Sequence, residues 1–458
     1  MTTTAVEAGL TRRLAETLAG FAASGITDES LREAERAFVD TIGVALAATD
    51  DPTVVTLLAA VDDVVPGGPC RMLVDPRPAR AAHAALVNGT AAHALDYDDV
   101  TYEVRGHPSA VLVPTALAVA EEQGSSGRAA LLGYLAGYHA MCVLGAALDL
   151  PRHYSKGWHA TATLGVVGAA ATAAQLYGLD AGRTAHALAI AGSTASGSRR
   201  NFGTMTKPLH AGLAASRGVT AARLARAGFT ADPTMLEAPL GYLDLYGDGA
   251  EPTATGEVQD LGHHRLSVKR YPACYNTHRA IDAVLDGPPV DLDAVESIRV
   301  TVEPSGLGPL IHARPRTGLE ARFSLEYTVA AALADREASL ATFTDEQCNR
   351  PAVQALLRRI EVVESPTPPV GPLEWAVGYA CVEILLRDGT VHARRADQPR
   401  GYGQNPLSDA ELHAKFTDCA QFGTGHEQDD LLRALDSLRS VDDLRHLPDH
   451  RDAPTSRA

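Results

Sequence analysis

The sequence is poor in aromatic side chains, in basic residues relative to acidic ones, and in paired cysteines. Aromatic residues make up 5% of the 458 residues, so a core must be built mainly from small and aliphatic side chains. The formal net charge of −16 argues against nucleic acid or an anionic membrane as the main partner. The six cysteines are scattered without a CxxC pair, which predicts a reduced, cytoplasmic protein without disulfides or structural zinc.

Long apolar runs and the common cofactor motifs are missing as well. The alanine-rich stretches are interrupted by Gly, His, Gln or Asp before they reach the length of a membrane span, and the N-terminal segment lacks the apolar region of a secretory signal. The motifs GxGxxG, GxSxG and HExxH do not occur. Gly192 and Gly197 have phosphate-loop spacing, but Ser198 and Arg199 follow in place of Lys and Ser/Thr, which excludes a P-loop.

The patterns that are present change along the chain. Up to about residue 250, apolar residues recur at three- and four-residue spacing, with Ser, Asp, Thr or Pro near the segment starts, which predicts helices. Val295–Val302 is instead rich in β-branched residues and alternates like a strand. Residues 382–393 hold two strand-like runs joined by Asp388-Gly389, a dipeptide typical of a hairpin turn.

This change of pattern suggests a division of the chain. Its length is sufficient for two domains. We assign residues 1–265 to a helical domain, residues 266–404 to a smaller α/β domain, and residues 405–458 to C-terminal helices that pack back on the helical domain.

Two neighbouring segments carry carboxylates and a histidine. The segment NGTAAHALDYDDV holds Asp96, Asp98 and Asp99, which raise one another's pKa unless they are balanced and suit a general base or a clamp on a cation. An exposed acidic turn is the alternative. His107 precedes a helix predicted to begin at Pro108, where an imidazole can exchange protons near neutral pH. A histidine that is merely hydrogen-bonded is the alternative there.

Two further segments carry cationic or ionisable groups at predicted helix starts. His159 opens a small-residue helix, whose N-terminus favours anions. Lys207 follows a turn rich in glycine and hydroxyl groups and precedes another small-residue helix, with Arg199 and Arg200 nearby. A lysine in packed surroundings needs an anionic partner or a ligand, whereas a surface lysine at a helix start is the bland alternative.

A fifth segment lies at the junction of the two predicted domains. Lys269 and Arg270 stand there beside a Tyr-Pro turn in KRYPACYNTH, and clefts between domains are common ligand sites. The five segments together predict a pocket for a small polycarboxylate.

This combination resembles the MmgE/PrpD family over nearly the whole chain. The segments that carry the resemblance are NGTAAHALDYDD, HPS at His107, GWHATATLGVVGAAATAAQLYGLD, GTMTKPLHAGLAASRGVTAARLARAGFTA, KRYPAC with His278, and RFSLEYTVAAAL. The resemblance implies a mostly α fold with a large all-helical domain and a smaller α/β lid domain. It also implies a homodimer and catalysis without a metal or an organic cofactor.

The resemblance also assigns roles to individual residues. The implied catalytic residues are Asp96, His107, His159, Lys207 and Tyr327, and Lys269, Cys274 and His278 are the implied substrate-binding residues. Arg199, Arg200 and Arg270, which stand beside these lysines in the sequence, are further candidates for substrate binding. Two positions depart from the cis-aconitate decarboxylase pattern of the family, because Val100 stands where that enzyme has threonine and Cys274 where it has histidine. These differences count against decarboxylation of cis-aconitate itself.

We therefore expect a lyase that acts on a small di- or tricarboxylate through a carboxylate-stabilised carbanion, with 2-methylcitrate dehydratase-like chemistry as the first choice. Cis-aconitate-type decarboxylation and iminodisuccinate-type epimerisation are the alternatives, since all three pass through such a carbanion. Two other classes are also compatible with the sequence. Asp98, Asp99 and Glu103 suggest a magnesium-dependent prenyl diphosphate enzyme, although the chain is poor in the aromatic residues that its pocket would need. The other class is a non-catalytic binder.

Overall fold

Alanine-rich helices form most of the first of two structural units. A computed structural model describes residues 9–21, 25–61, 67–247 and 266–448. The first unit takes the chain up to residue 200, residues 205–266 and the chain from 409 onward, and the second takes 201–204 and 267–408. Residues 201–204 thus belong to the second unit although they precede the Lys207 helix.

Several helices of the first unit begin at a residue whose side chain caps them. Thr27, Ser126 and Asp180 each accept a hydrogen bond from a backbone N–H in the first turn of the helix that follows. The helices are α1 (Leu10–Ala19), α2 (Asp28–Ala47), α3 (Pro52–Ala60), α4 (Ala81–Ala94), α5 (Ser109–Gln123), α6 (Gly127–Ala147), α7 (Leu150–Ser155), α8 (Ala160–Thr163), α9 (Gly165–Leu176), α10 (Ala181–Ser193), α11 (Thr206–Arg226) and α12 (Tyr242–Gly247).

A short antiparallel hairpin corrects the expectation that the large domain is wholly helical. Strand β1 (Cys70–Met72) pairs with β2 (Asp75–Ala79), and Asn88 on α4 supports the turn between them. The Asn88 side chain accepts from Leu73 N–H at 2.7 Å and donates to the Arg71 carbonyl at 3.0 Å. Strands this short leave too brief an alternation for sequence reading to detect.

Helices α4 and α11 approach each other closely because small residues line their contact. A Cβ added to Gly212 would lie 2.2 Å from the Leu86 carbonyl oxygen and 2.2 Å from Thr90 Oγ1. A Cβ on Gly89 would lie 3.0 Å from Gly212 Cα. Glycine therefore sets the spacing between the two helices.

The C-terminal helices α18 (Asp409–Thr424) and α19 (Asp429–Asp436) belong to the first unit. Helix α18 packs on α2, where a Cβ on Gly43 would lie 2.9 Å from the Phe416 ring. Lys415 on α18 forms a buried ion pair with Asp40 on α2 at 2.6 Å and donates to the Tyr97 carbonyl at 2.8 Å. The C-terminal segment thereby supports the loop that follows α4.

The second unit is built on a mixed sheet with helices packed against it. Its helices are α13 (His278–Leu285), α14 (Gly318–Ala321), α15 (Leu325–Asp335), α16 (Asp345–Cys348) and α17 (Pro351–Leu357), and its strands are β3 (Val295–Val302), β4 (Ile360–Glu364), β5 (Ala380–Leu386) and β6 (Val391–Ala396). Within residues 267–408, which the structure describes throughout, the strand order is β4-β3-β5-β6. Strand β3 pairs parallel to β4 and antiparallel to β5, and the predicted Asp388-Gly389 turn joins β5 to β6. Gly389 has a φ of 87°, a conformation that glycine adopts readily.

Among the described residues, α6 is a helix long and apolar enough to cross a membrane, although the sequence was expected to contain no such run. Its most apolar window is 83% buried by packing within the protein, as in the core helix of a folded domain. All six cysteines are buried free thiols.

Gly212→Ala is expected to lower the free energy of unfolding by about 1–3 kcal/mol, because the new methyl group would force α4 and α11 apart. Urea unfolding of the purified variant measures this change. Gly182→Ala on α10 is the matched control, since its Cβ would meet nothing nearer than Asp180 Oδ1 at 3.4 Å. Helix propensity then predicts unchanged or slightly increased stability for the control. Equal stability of the two variants would contradict close packing of α4 on α11.

Candidate active site

The loop that follows α4 buries three carboxyl groups. Helix α4 is followed by Leu95, and Asp96 turns the chain with a φ of 51°, a left-handed conformation that Asp tolerates better than most residues. Asp96, Asp98 and Asp99 are 3%, 0% and 0% exposed, so each negative charge must be balanced within the protein. We call residues 96–99 the acidic loop.

Lys207 balances the first of these charges. It lies in the first turn of α11, is 3% exposed, and its Nζ donates a short hydrogen bond to Asp96 Oδ1. The close approach of α4 and α11 brings this ammonium group to the acidic loop. The buried lysine thus has the anionic partner that its packed sequence surroundings require.

Asp98 is held by two histidines. Its Oδ2 lies 2.8 Å from His93 Nδ1 and 3.1 Å from His107 Nδ1. The second ring nitrogen of His107, Nε2, lies 4.0 Å from Asp96 Oδ1. Burial alone would raise the pKa of Asp98, but the attraction and hydrogen bonds of His107 and His93 hold it well below its ordinary value.

His159 and His210 extend this group of rings. The His159 and His93 rings stack at 5.7 Å between centroids, and His159 Nδ1 lies 3.2 Å from His210 Nδ1. The backbone N–H of His159 donates to the Gly197 carbonyl at 3.1 Å, which anchors His159 at the start of α8. His93, His107, His159 and His210 are called the histidine cluster below.

Burial and nearby cations keep three members of the histidine cluster neutral. Burial lowers the pKa of His93 to about 3, although Asp98 opposes the shift. Burial, reinforced by the other histidines and Lys207, holds the pKa of His159 well below its ordinary value. Burial and the charge of Lys207 lower the pKa of His210 to about 4. These rings are unprotonated bases at neutral pH.

Asp99 is neutralised by a proton. Its carboxyl group contacts the Ser109 hydroxyl and accepts from the Ser109 N–H at 3.3 Å, and Ser109 Oγ lies 2.8 Å from the Tyr134 hydroxyl. Burial, followed by the charge of Asp40, raises the pKa of Asp99 to about 8. Asp99 therefore connects the acidic loop to α5 and α6 as a neutral acid.

By residue type, His93, Asp96, Asp98 and His107 could hold a metal ion, since one potential ligand atom from each lies within 4.8 Å of the others. His93 is hydrogen-bonded to Asp98, and the Lys207 ammonium group is paired with Asp96. A divalent ion there would be repelled by that ammonium group. We therefore describe these four residues as a network of ion pairs and hydrogen bonds and assign no metal to them.

The two arginines predicted beside Lys207 make other contacts. The Arg199 guanidinium donates to the Tyr154 carbonyl at 2.7 Å and lies 3.3 Å from the centre of the Tyr154 ring. The Arg200 side chain is exposed, and its backbone N–H donates to Ser198 Oγ at 3.2 Å. The structure thus brings Asp96, His107, His159 and Lys207 together, whereas the contacts of Arg199 are with Tyr154.

The remaining predicted site residues lie in the second unit. Lys269 is fully buried, and the exposed Arg270 lies near the Tyr271 ring. Cys274 is buried and donates its N–H to the Arg322 carbonyl at 2.9 Å. The His278 ring packs between those of Tyr271 and Tyr275, with centroids 5.1 Å from each.

Tyr327 lies in the hydrophobic core of the second unit. Its hydroxyl donates to the Thr342 carbonyl at 2.6 Å, and its ring packs on Phe343. Burial raises the pKa of this phenol above its ordinary value. The catalytic role that the resemblance implies for Tyr327 stays a prediction.

Two residues of the site, His93 and His210, were not selected from the sequence, and Asp98 was named among the carboxylates without a role of its own. All three lie in the two segments that were singled out for Asp96 and Lys207. One signal was available, because His210 follows Lys207 by about one helical turn and must share its helix face. No comparable spacing relates His93 to His107, since an irregular turn separates them.

The sequence was compared with known families and proteins. The model of the MmgE/PrpD N-terminal domain matches residues 12–255, and that of the MmgE/PrpD C-terminal domain matches residues 271–438. The chain belongs to the MmgE/PrpD family. The resemblance inferred from the sequence segments is therefore confirmed, as is the mostly α fold with a smaller sheet-containing part.

Curated relatives of this MmgE/PrpD protein carry the name of a carboxy-lyase. The cis-aconitate decarboxylase of Mus musculus is 29% identical over 432 residues, covering 89% of this chain and 86% of the relative. That of Homo sapiens is 28% identical over 425 residues, covering 89% and 87%. That of Aspergillus terreus is 26% identical over 467 residues, covering 94% of both chains. The prediction of a lyase of this family is confirmed at that level.

Asp99→Asn is expected to flatten the pH dependence of stability between about pH 4 and pH 8. In the native protein the raised pKa keeps Asp99 protonated, whereas the unfolded chain ionises it above about pH 4. Stability is therefore lost as pH rises through this window, and an asparagine removes that loss. Thermal unfolding of wild type and variant at several pH values measures the difference. A parallel decline in both proteins would contradict the assigned protonation of Asp99.

Proposed function

We propose that this protein is a cofactor-independent carboxy-lyase that removes CO2 from a small unsaturated polycarboxylate, with cis-aconitate as the first substrate to test. The buried Lys207–Asp96 pair beside His107 is the observation that carries the proposal, since it combines a fixed cation with a protonatable ring. The decarboxylase names of the relatives support the choice of reaction. These names favour decarboxylation, which was an alternative in our interpretation of the sequence. They do not favour dehydration, which was our first choice there.

Decarboxylation of this kind needs a group that stabilises the released electron pair and a donor that supplies one proton. The bond between a carbon and the departing carboxylate breaks, CO2 leaves, and the electron pair spreads over the adjacent double bond and a remaining carboxylate. A proton then adds to carbon, so that a tricarboxylate and one proton become a dicarboxylate and CO2. A fixed cation near the remaining carboxylate lowers the barrier, because the negative charge moves onto that group in the transition state.

Lys207 is the fixed cation of this proposal. Asp96 holds its ammonium group at the acidic loop, and low exposure keeps water from weakening its field. A substrate carboxylate that contacts Lys207 would gain a charge-assisted hydrogen bond.

His107 is the preferred proton donor among the histidines. His93, His159 and His210 are neutral, whereas the carboxylate of Asp98 faces His107 Nδ1 and favours a proton on that ring. The His107 side chain is also 14% exposed, so it can regain a proton from solvent after each turnover. We therefore prefer His107 to His159 as the proton donor.

Several expectations about the rest of the protein stay predictions. Carboxylate binding by Lys269, Arg270, Cys274 and His278 belongs among them, as do a homodimer and a cytoplasmic location. Val100 and Cys274, which depart from the decarboxylase pattern, make it worthwhile to test relatives of cis-aconitate as well.

Proton NMR in deuterium oxide tests the proposed reaction. Chelator-treated protein is incubated separately with cis-aconitate, 2-methylcitrate, citrate and iminodisuccinate. Decarboxylation predicts release of CO2 from cis-aconitate and one deuterium on a product carbon. Loss of water from 2-methylcitrate without CO2 release would instead support the dehydratase, and deuterium exchange without either product would support the epimerase.

Lys207→Met is expected to lower kcat/KM by at least about a hundredfold, because it removes a buried cation from the developing carbanion. Lys156→Met, which replaces an exposed lysine of the same unit, is the control and is expected to retain activity. Since Lys207→Met alone leaves Asp96 buried without its cation, the double variant Asp96→Asn/Lys207→Met provides a second test with both charges removed. Near-normal turnover by a folded form of either Lys207 variant would contradict the proposed role.

A further inference from the structure

The carboxylate of Asp98 makes its polar contacts with two histidine rings through a single oxygen. Oδ2 lies 2.8 Å from His93 Nδ1 and 3.1 Å from His107 Nδ1, and the side chain is fully buried. Of these three residues, His107 is the partly exposed one. Asp98 can therefore act on a bound substrate by contact only through His107.

We propose that Asp98 is a positioning residue that fixes the orientation and tautomer of His107 through a carboxylate oxygen shared with His93. This inference rests on the proposed function for its catalytic consequence, because His107 is the proton donor of that reaction. The hydrogen-bond arrangement itself can be tested without turnover.

The protonation of the two rings follows from the shared oxygen. An ionised carboxylate only accepts hydrogen bonds, so His93 Nδ1 carries the hydrogen that it donates to Asp98 at 2.8 Å. The 3.1 Å approach of His107 Nδ1 to the same charged oxygen favours a hydrogen on that atom as well. His93 is neutral, because burial lowers its pKa to about 3, and its Nε2 therefore carries no hydrogen. His107 likewise holds a hydrogen on Nδ1, and the proton that it exchanges is the one on Nε2, which lies 4.0 Å from Asp96 Oδ1.

His93 braces this arrangement in addition to donating a hydrogen bond. Its ring meets that of His107 at 4.6 Å between centroids with an interplanar angle of 63°, and it stacks on His159 on another side. Because His93 is fully enclosed, its Nδ1–H fixes the position of Asp98 Oδ2. The Asp98 carboxylate is then held in one orientation, in which its Oδ2 contacts His107 Nδ1.

Several charged or titratable groups face His107 from different elements. Asp98 and Asp96 lie on the acidic loop, His93 on α4, His159 before α8, and Lys207 on α11. Asp96 is already paired with Lys207, and His159 and His93 are neutral at physiological pH. Asp98 therefore supplies the negative charge that favours a proton on His107.

Asp98→Asn is the decisive substitution. The amide has the same size but no negative charge, so His107 loses the charge partner that favours its proton, and its hydrogen bonds become weaker. We expect kcat on the substrate identified above to fall about 10- to 100-fold at pH 7, the range seen when an orienting partner is removed. KM should change little. Activity should recover partly at lower pH, where His107 regains its proton.

Asp99→Asn is the matched control. Asp99 is the adjacent carboxyl group, equally buried, but it contacts Ser109 and is already neutral at pH 7. Its replacement is expected to leave both kcat and the pH profile near those of the wild type. If Asp98→Asn and Asp99→Asn lowered kcat equally without recovery at low pH, Asp98 would be a structural residue and the proposal would be overturned.

Histidine-selective 15N NMR tests the arrangement independently of any reaction. The His107 signals are assigned with a His107→Gln variant and followed across pH in wild type and variants. Asp98→Asn should move the titration of His107 to lower pH. His93→Phe, the second variant, leaves Asp98 with His107 as its one ring partner and should move the titration to higher pH.

The NMR result separates failure of this inference from failure of the proposed function. Opposite displacements of the His107 titration in the two variants would support the shared carboxylate even if no tested substrate reacted. An unchanged His107 titration in a folded Asp98→Asn protein would overturn the inference even if cis-aconitate is decarboxylated.

Discussion

Four carboxyl groups are buried in one region of the first unit, and the site depends on how each negative charge is balanced. Asp96 pairs with Lys207, Asp40 pairs with Lys415, Asp98 lies between two histidines, and Asp99 keeps a proton. An unbalanced carboxylate at any of these positions would cost several kcal/mol. The partners come from α11, α18 and the turn before α5, so distant segments must be in place before the acidic loop can be buried. Folding of the first unit and assembly of the site are therefore one process.

Small residues make this arrangement possible. Gly212 lets α11 approach α4 closely enough for Lys207 to reach Asp96, and Gly43 lets α18 approach α2 so that Lys415 reaches Asp40 and the Tyr97 carbonyl. Close backbone approach shortens the distance that a lysine side chain must span in a dry interior. The low aromatic content of the chain serves the same end, since larger rings would hold these helices apart.

Local signals allowed much of the fold to be predicted. Capping residues mark the starts of α2, α6 and α10, and Asp388-Gly389 identifies the hairpin of the second unit. Lys207 was informative because a buried cation requires a partner, but the identity of that partner depends on which helices pack together. His93 was missed, and the histidine partners of Asp98 were not predicted, for the same reason. The resemblance to a family placed Asp96, Lys207, His107 and His159 on one site, which spacing alone could not do.

The proton balance of the proposed reaction gives a use to the differences in solvent exposure and protonation among the histidines. Each decarboxylation consumes one proton, so the donor must be charged before the reaction and must be recharged from solvent afterwards. A fully enclosed ring such as His93 is poorly suited to recharging, whereas His107 combines partial exposure with a carboxylate that favours its charged form. The enclosed neutral rings have a different value. They surround the donor with polarisable groups that add no competing positive charge, so that the field at the substrate comes mainly from Lys207 and His107.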